Sequence, residues 1–292
     1  MKDASTGALI TRLAPGLFVL LWSSGFIGTK YGLPYAPPFT FVLARMIIAC
    51  TILTTVSLVF RAPWPRRWQD LGHLAVAGLL VHGTYLGGVS AAIAEGVPAG
   101  QVALIVGLQP LLTAAVAGPL LGERVTTRQW LGLLLGLAGV WLVVSQKTGN
   151  DGVTDTGAIA WTVMALLGIT GGTLYQKRFC TGMDLRSGTA VQYLAAGTMA
   201  ALLAFTRETP HLDVTASLAL ALLWLVFVLS FGAIFLLFTL IRHGQAARVA
   251  SLFYLTPPTT AIMAWALFGE HLAPSGLLGF AVAAAGVALT RR

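Results

Sequence analysis

Apolar stretches of near-constant length, almost free of charge, alternate with short polar gaps along the whole chain. A helix needs about 20 residues to cross the hydrocarbon core of a bilayer. On that scale the pattern predicts ten membrane-spanning helices, at roughly 13–33, 39–60, 71–94, 99–121, 128–145, 156–176, 187–205, 216–241, 246–268 and 274–290. The first of these is too long for the apolar core of a typical cleavable signal. The prolines between Pro34 and Pro38 mark a turn, because a proline lacks the N–H that would continue a helix. The most linker-like stretch, Gly149-Asn150-Asp151-Gly152, lies almost at the midpoint. Ten spans consume most of the 292 residues and leave about eight for each loop or tail. Loops that short exclude a soluble catalytic or nucleotide-binding domain.

Composition agrees: 57% of residues are hydrophobic and 10% are charged, against roughly 25% charged in soluble domains. Disordered chains are poorer in apolar residues still. A net charge of +8 would point to nucleic acid in a soluble protein, but cytoplasmic loops of membrane proteins also collect Lys and Arg. With the N-terminus placed in the cytoplasm, fourteen of the eighteen Lys and Arg fall on the inside. Only Lys30, Lys147 and Arg207 fall outside, and Arg45 lies within the second span. The expectation is a multi-pass protein with both termini cytoplasmic, the bilayer as its surroundings and no nucleic-acid partner. Cys50 falls in a predicted span and Cys180 in a short basic loop, which suggests neither a disulfide nor a metal site.

The chain also contains itself twice. Residues 102–140 and 249–287 align without a gap at an offset of 147. Pro110 pairs with Pro257, Thr113 with Thr260, Gly122-Glu123 with Gly269-Glu270, Gly132 with Gly279, and Gly139-Val140 with Gly286-Val287. A weaker echo sets Gly28-Thr29-Lys30-Tyr31 against Gly172-Thr173-Leu174-Tyr175 at an offset of 144. Each half, 1–149 and 150–292, holds five predicted spans, and an odd number forces the second copy to enter the bilayer upside down. Inverted repeats of this kind recur in secondary transporters. The predicted fold class is an all-α membrane protein of ten helices in two inverted five-helix repeats, together one membrane domain.

The proline, thirteen residues, Gly-Glu and a glycine-rich span, repeated over Pro110 to Gly139 and Pro257 to Gly286, resembles the EamA-type repeat of the drug/metabolite transporter superfamily. The opening Trp22-Ser23-Ser24-Gly25-Phe26-Ile27-Gly28-Thr29-Lys30 is similar to that family's first span, and the resemblance covers nearly the whole chain. Within the family it most resembles bacterial amino-acid exporters. The resemblance implies a transporter of the bacterial inner membrane that carries amino acids and related metabolites outward through a central cavity, with no cofactor.

Several residues are candidates for lining such a cavity. Pro110 and Pro257 sit near the middle of the fourth and ninth spans, where a proline removes a backbone hydrogen bond and kinks the helix. Trp22 and Ser23 lie mid-span in the first helix, His82 and Tyr85 one turn apart in the third, Gln109 before the first proline, and Tyr254 and Thr256 before the second. Polar side chains at that depth are costly in lipid and turn to the bundle interior, either towards a cavity or towards neighbouring helices. Trp224, Phe227, Phe231, Phe235 and Phe238 form a stripe on one face of an α-helical eighth span; Phe231 and Phe235 are its candidate cavity members. Arg45 is the one charge clearly inside a span, placed either to attract a carboxylate or to snorkel to the interface.

No Asp or Glu lies deep in any span, so no membrane carboxylate is available for proton coupling, and His82 is the only deep group that titrates near neutrality. The chain has no Walker-type loop, no aspartate-rich diphosphate motif and no HExxH. An amino-acid exporter working by alternating access is the expectation. Another metabolite or a drug on the same scaffold, an intramembrane enzyme and a channel remain as alternatives.

Overall fold

The computed structural model describes residues 2–121, 126–144, 156–233, 236, 252–270 and 274–289. Helices and their connecting turns account for all regular structure in that set. We label the spans in order: α1 (Lys2–Gly32), α2 (Pro38–Val59), α3 (Trp68–Ala94), α4 in two pieces (Ala99–Val106 and Gln109–Leu121) and α5 (Thr127–Val144) form the first half. The second comprises α6 (Thr156–Phe179), α7 (Leu185–Arg207), α8 (Ala216–Leu223 continuing as Trp224–Ala233), α9 (Phe253–Leu255 leading into Thr256–Phe268) and α10 (Pro274–Leu289). Helices α2, α3, α6 and α7 are long and apolar enough to cross a membrane as single rods. Large apolar side chains such as Ile47, Leu194 and Phe205 face outward, as a lipid-facing surface requires.

The helix pairings repeat between halves. Helix α1 packs on α8 and α9, and its counterpart α6 packs on α3 and α4; α2 packs on α7, and α5 on α10. Exchanging the halves turns each pairing into another member of the same set, as a two-fold axis demands. The contact between α5 and α10 shows the symmetry at atomic scale. A methyl group on Gly139 would sit 2.5 Å from the Gly279 carbonyl and 2.6 Å from the Ala283 nitrogen. One on Gly286 would sit 2.6 Å from the Gly132 carbonyl and 2.8 Å from the Gly136 nitrogen. With the repeat offset of 147, these are the same contact made twice in opposite directions, which is the signature of an isologous interface. The chain is an all-α membrane protein built from two inverted repeats of the ten-helix type.

The breaks in the helices are repeated too. The first piece of α4 ends at Val106 and the second begins at Gln109, placing Pro110 in its first turn; in α9 the turn Phe253–Leu255 precedes the α-helical piece that begins at Thr256, placing Pro257 in that piece's first turn. A proline is tolerated in a first turn because the N–H it lacks would have no partner. A second matched irregularity is invisible to an α-helical template. Leu79–Thr84 in α3 and Trp224–Ala233 in α8 are wound as π-helix. In each, a hydroxyl bonds the carbonyl five residues earlier: Thr84 to Leu79 at 3.0 Å and Ser230 to Leu225 at 3.1 Å. The small residues of the Gly28 and Gly172 echo accommodate these bulges. A methyl on Gly172 would sit 2.5 Å from Val81, and one on Gly28 would sit 3.1 Å from Leu225.

Gly139→Val would push a branched side chain into the backbone of α10. The expected loss is about 1–3 kcal/mol, the usual cost of overpacking, read as a lowered thermal midpoint of the detergent-purified protein. Gly16→Ala, where no atom lies within 4 Å of the added methyl, should leave that midpoint unchanged.

Candidate functional site

A cavity of about 140 Å³ lies where α1, α2, α3, α6, α7 and α8 meet. Helix α1 contributes Trp22, Phe26 and Thr29; α3 contributes Val81, His82, Tyr85 and Val89. From the second half come Ile169, Tyr193, Leu229 and Ser230, with Arg45 of α2 completing the wall. Both π-helical segments reach the cavity, and such bulges frequently sit at functional sites. A wider turn rotates the side chains that follow it, which brings Tyr85 on one side and Leu229 with Ser230 on the other to the same space.

Arg45 is 6% exposed, and its Nη2 donates to the Leu225 carbonyl at 3.4 Å while its Nε has no partner. That carbonyl also accepts from Ser230. The guanidinium acts electrostatically on Tyr85, Tyr193 and His82, and no ion pair among the described residues involves it. His82 meets the Tyr193 ring edge-on at 4.5 Å between centroids and is in hydrogen-bonding reach of Gln192. Gln192 occupies the position 147 residues after Arg45. The pair thus plays equivalent parts: Arg45 reaches from α2 to the bulge of α8, and Gln192 reaches from α7 to the bulge of α3. Trp22 closes one side, packed edge-on against Phe253 at 4.9 Å.

Of the residues expected from sequence, the structure gathers Trp22, Arg45, His82 and Tyr85 around this cavity. It places others elsewhere. Ser23 is fully buried on the α1–α9 seam, donating to the Thr256 carbonyl at 3.3 Å. Thr256 is buried there, with its own hydroxyl unpartnered. Gln109 donates to Thr173 across the α4–α6 seam at 3.2 Å. The aromatic stripe on α8 presumed α-helical spacing, and the π winding breaks that register. Trp224 and Phe227 are exposed, not cavity-lining. Phe231 lies in the π segment and Tyr254 in the turn before Thr256, but the side chains of both fall outside the described set, as does the whole of Phe235. Sequence reading missed Thr29, Tyr193, Gln192 and Ser230. The constant offset held the signal for Gln192, since it projects Arg45 onto that position.

Among the described residues the two ends of the bundle differ. At the end remote from the termini, the α1–α9–α4 seam is sealed. Phe26 and Ile27 are buried with Val102, Val106, Ala103 and Ala264. Above them Lys30 forms an ion pair with Glu270, whose carboxylate also accepts from the Ala99 backbone N–H at 3.1 Å. Glu208 closes α2 beside it by accepting from Phe39 and Thr40. The matching seam at the opposite end, between α4 and α6, contains a groove of about 400 Å³ lined in part by Thr170, Gly171 and Leu174. The offset of 144 equates these three with Phe26, Ile27 and Lys30. Smaller side chains and an uncharged leucine therefore stand where the sealed seam has bulk and an ion pair.

Comparison with known proteins agrees with this two-fold plan. Residues 13–145 and 156–292 each match the EamA-like transporter family. The chain is 27% identical to an uncharacterized transporter, YvbV, of Bacillus subtilis, over 92% of this chain and 87% of that protein. It is 27% identical to a probable terminal-alkyne amino-acid exporter of Streptantibioticus cattleyicolor, covering 94% of this chain and 91% of that one. A probable amino-acid metabolite efflux pump of Salmonella typhimurium is 25% identical over 93% of this chain and 91% of its own length. One solved crystal structure shares the fold with a TM-score of 0.64 at 20% identity, covering 96% of both chains. With both halves matched, the chain belongs to the EamA-like transporter family of the drug/metabolite transporter superfamily.

Proposed function

We propose that this transporter exports amino acids with apolar or aromatic side chains from the bacterial cytoplasm by alternating access. The observation that carries the proposal is a central cavity lined by both halves, sealed at one end of a two-fold frame whose other end is looser. Trp22, Phe26, Val89 and Leu229 offer an apolar wall, and Arg45, His82 and Tyr85 offer polar contact. Lys and Arg outnumber acidic groups in the loops at the end carrying the termini, which assigns that end to the cytoplasm by the positive-inside rule and the sealed end to the outside. The state described is then closed outward. The similar proteins named as an amino-acid exporter and an amino-acid metabolite efflux pump support the choice of substrate. A different metabolite or a drug on the same scaffold is the competing reading.

Proteoliposomes preloaded with unlabelled leucine and phenylalanine should accumulate the labelled amino acids from outside without an ion gradient, above empty-liposome controls. No accumulation for any amino acid would move the substrate to another metabolite class.

The outer seal gives a second test. Breaking the partly buried pair of Lys30 with Glu270 by Glu270→Gln removes one charge and weakens the acceptor for Ala99. Thr29, on the cavity wall just beneath, reports the opening when replaced by cysteine in a protein lacking Cys50 and Cys180. An impermeant thiol reagent added outside right-side-out membranes should label Thr29→Cys several-fold faster when Glu270→Gln is present. Equal rates would remove Glu270 from the gate.

A further inference from the structure

The cavity carries one formal charge, that of Arg45, and no carboxylate among the described residues pairs with it. The ten carboxylates are Asp3, Asp70, Glu95, Glu123, Asp151, Asp155, Asp184, Glu208, Asp213 and Glu270. Those among the described residues lie at helix ends or in connecting segments, and Glu123, Asp151 and Asp155 fall by sequence at a predicted span's end or in the gap between spans. Arg45 is nevertheless buried, with one long bond to a carbonyl and an Nε left bare. Taking an unpaired guanidinium out of water costs several kcal/mol. Packing does not require that cost, because the equivalent position in the other half holds neutral Gln192, which is equally buried. The charge distinguishes this position from its counterpart in the other half, and it faces the cavity.

We infer that this carrier selects its substrates by their carboxylate and is indifferent to the α-amine. The inference rests on the central cavity being the substrate site of the export reading. A carboxylate supplies the missing counter-charge to Arg45 in the paired geometry that guanidinium favours. An ammonium finds no anion there. The Arg45 guanidinium, lining the same space as Tyr85 and Tyr193, repels a second cation there. The substrate class is therefore small monocarboxylates with an apolar or aromatic tail, including amino acids, their N-acyl derivatives and the corresponding 2-oxo acids.

The test is competition against labelled phenylalanine counterflow in wild-type proteoliposomes. N-acetylphenylalanine and phenylpyruvate, which keep the carboxylate and lack the ammonium, should inhibit about as strongly as phenylalanine. Phenylalaninamide and phenethylamine, which keep the amine and lack the carboxylate, should be at least about tenfold weaker, as loss of a charge-assisted bond implies. Arg45→Gln, which copies the residue of the other half, should abolish that difference. Amines that compete as well as phenylalanine, or an acetylated acid that does not compete, would overturn the inference while leaving amino-acid export intact. Calorimetric binding of N-acetylphenylalanine to the purified full-length protein separates the opposite case. Binding lost in Arg45→Gln, without amino-acid counterflow, would sustain carboxylate selection and reject amino acids as the cargo. Binding equal in both proteins would overturn the inference.

Discussion

Two helices meet backbone to backbone, and they do so twice. Gly139 on Gly279 and Gly286 on Gly132 are the same contact read in opposite directions, so the α5–α10 seam fixes one half of the bundle against the other by a two-fold relation. In lipid no hydrophobic drive holds helices together, and close approach at small residues takes its place. Once this contact is set, α2 must face α7, and α1 and α6 must each fall between the other half's helices. The central cavity follows from that frame as the space left between six spans. Symmetric halves can exchange conformations, and the alternating access proposed above rests on that property of the frame.

Within the frame, function depends on where the symmetry fails. The π segments of α3 and α8 overlap under the offset of 147, and in each a hydroxyl, Thr84 or Ser230, bonds back five residues. Arg45 and Gln192 do not match, and that difference places a single charge in an otherwise neutral space. Lys30 and Leu174 do not match either, nor do Phe26 and Thr170. The first difference is the one on which the proposed carboxylate preference rests. The others fill one seam, among the described residues, with bulkier side chains and an ion pair.

Much of this was legible in the chain. Apolar length gave the spans, and the offset of 147 gave the inverted repeat and the glycines that meet between α5 and α10; Pro110 and Pro257, read as mid-span kinks, stand in the first turns of new helical pieces. What depth along a span does not reveal is direction around it. Ser23 and Trp22 are neighbours at one depth, yet Trp22 faces the cavity while Ser23 bonds α9. Gln109 and Thr256 begin equivalent helix pieces and serve seams, not the cavity. On α8 the described stripe residues Trp224 and Phe227 are exposed, and the winding over Trp224–Ala233 is π-helical, not the turn of 3.6 residues that the stripe assumes. Applying the repeat offset to Arg45 would have exposed Gln192 from sequence alone, because symmetry supplies the azimuth that periodicity lacks.

The central claim is that the two seams open and close in opposition. Spin labels at positions 31 and 267 would span the sealed α1–α9 end, and labels at 116 and 174 would span the groove between α4 and α6, each pair in bilayers and in a protein lacking Cys50 and Cys180. Pulsed dipolar spectroscopy with and without phenylalanine or N-acetylphenylalanine reads both separations. The account predicts that any population gaining distance in the first pair loses it in the second. Two distances that stay fixed, or that lengthen together, would contradict alternating access in this protein.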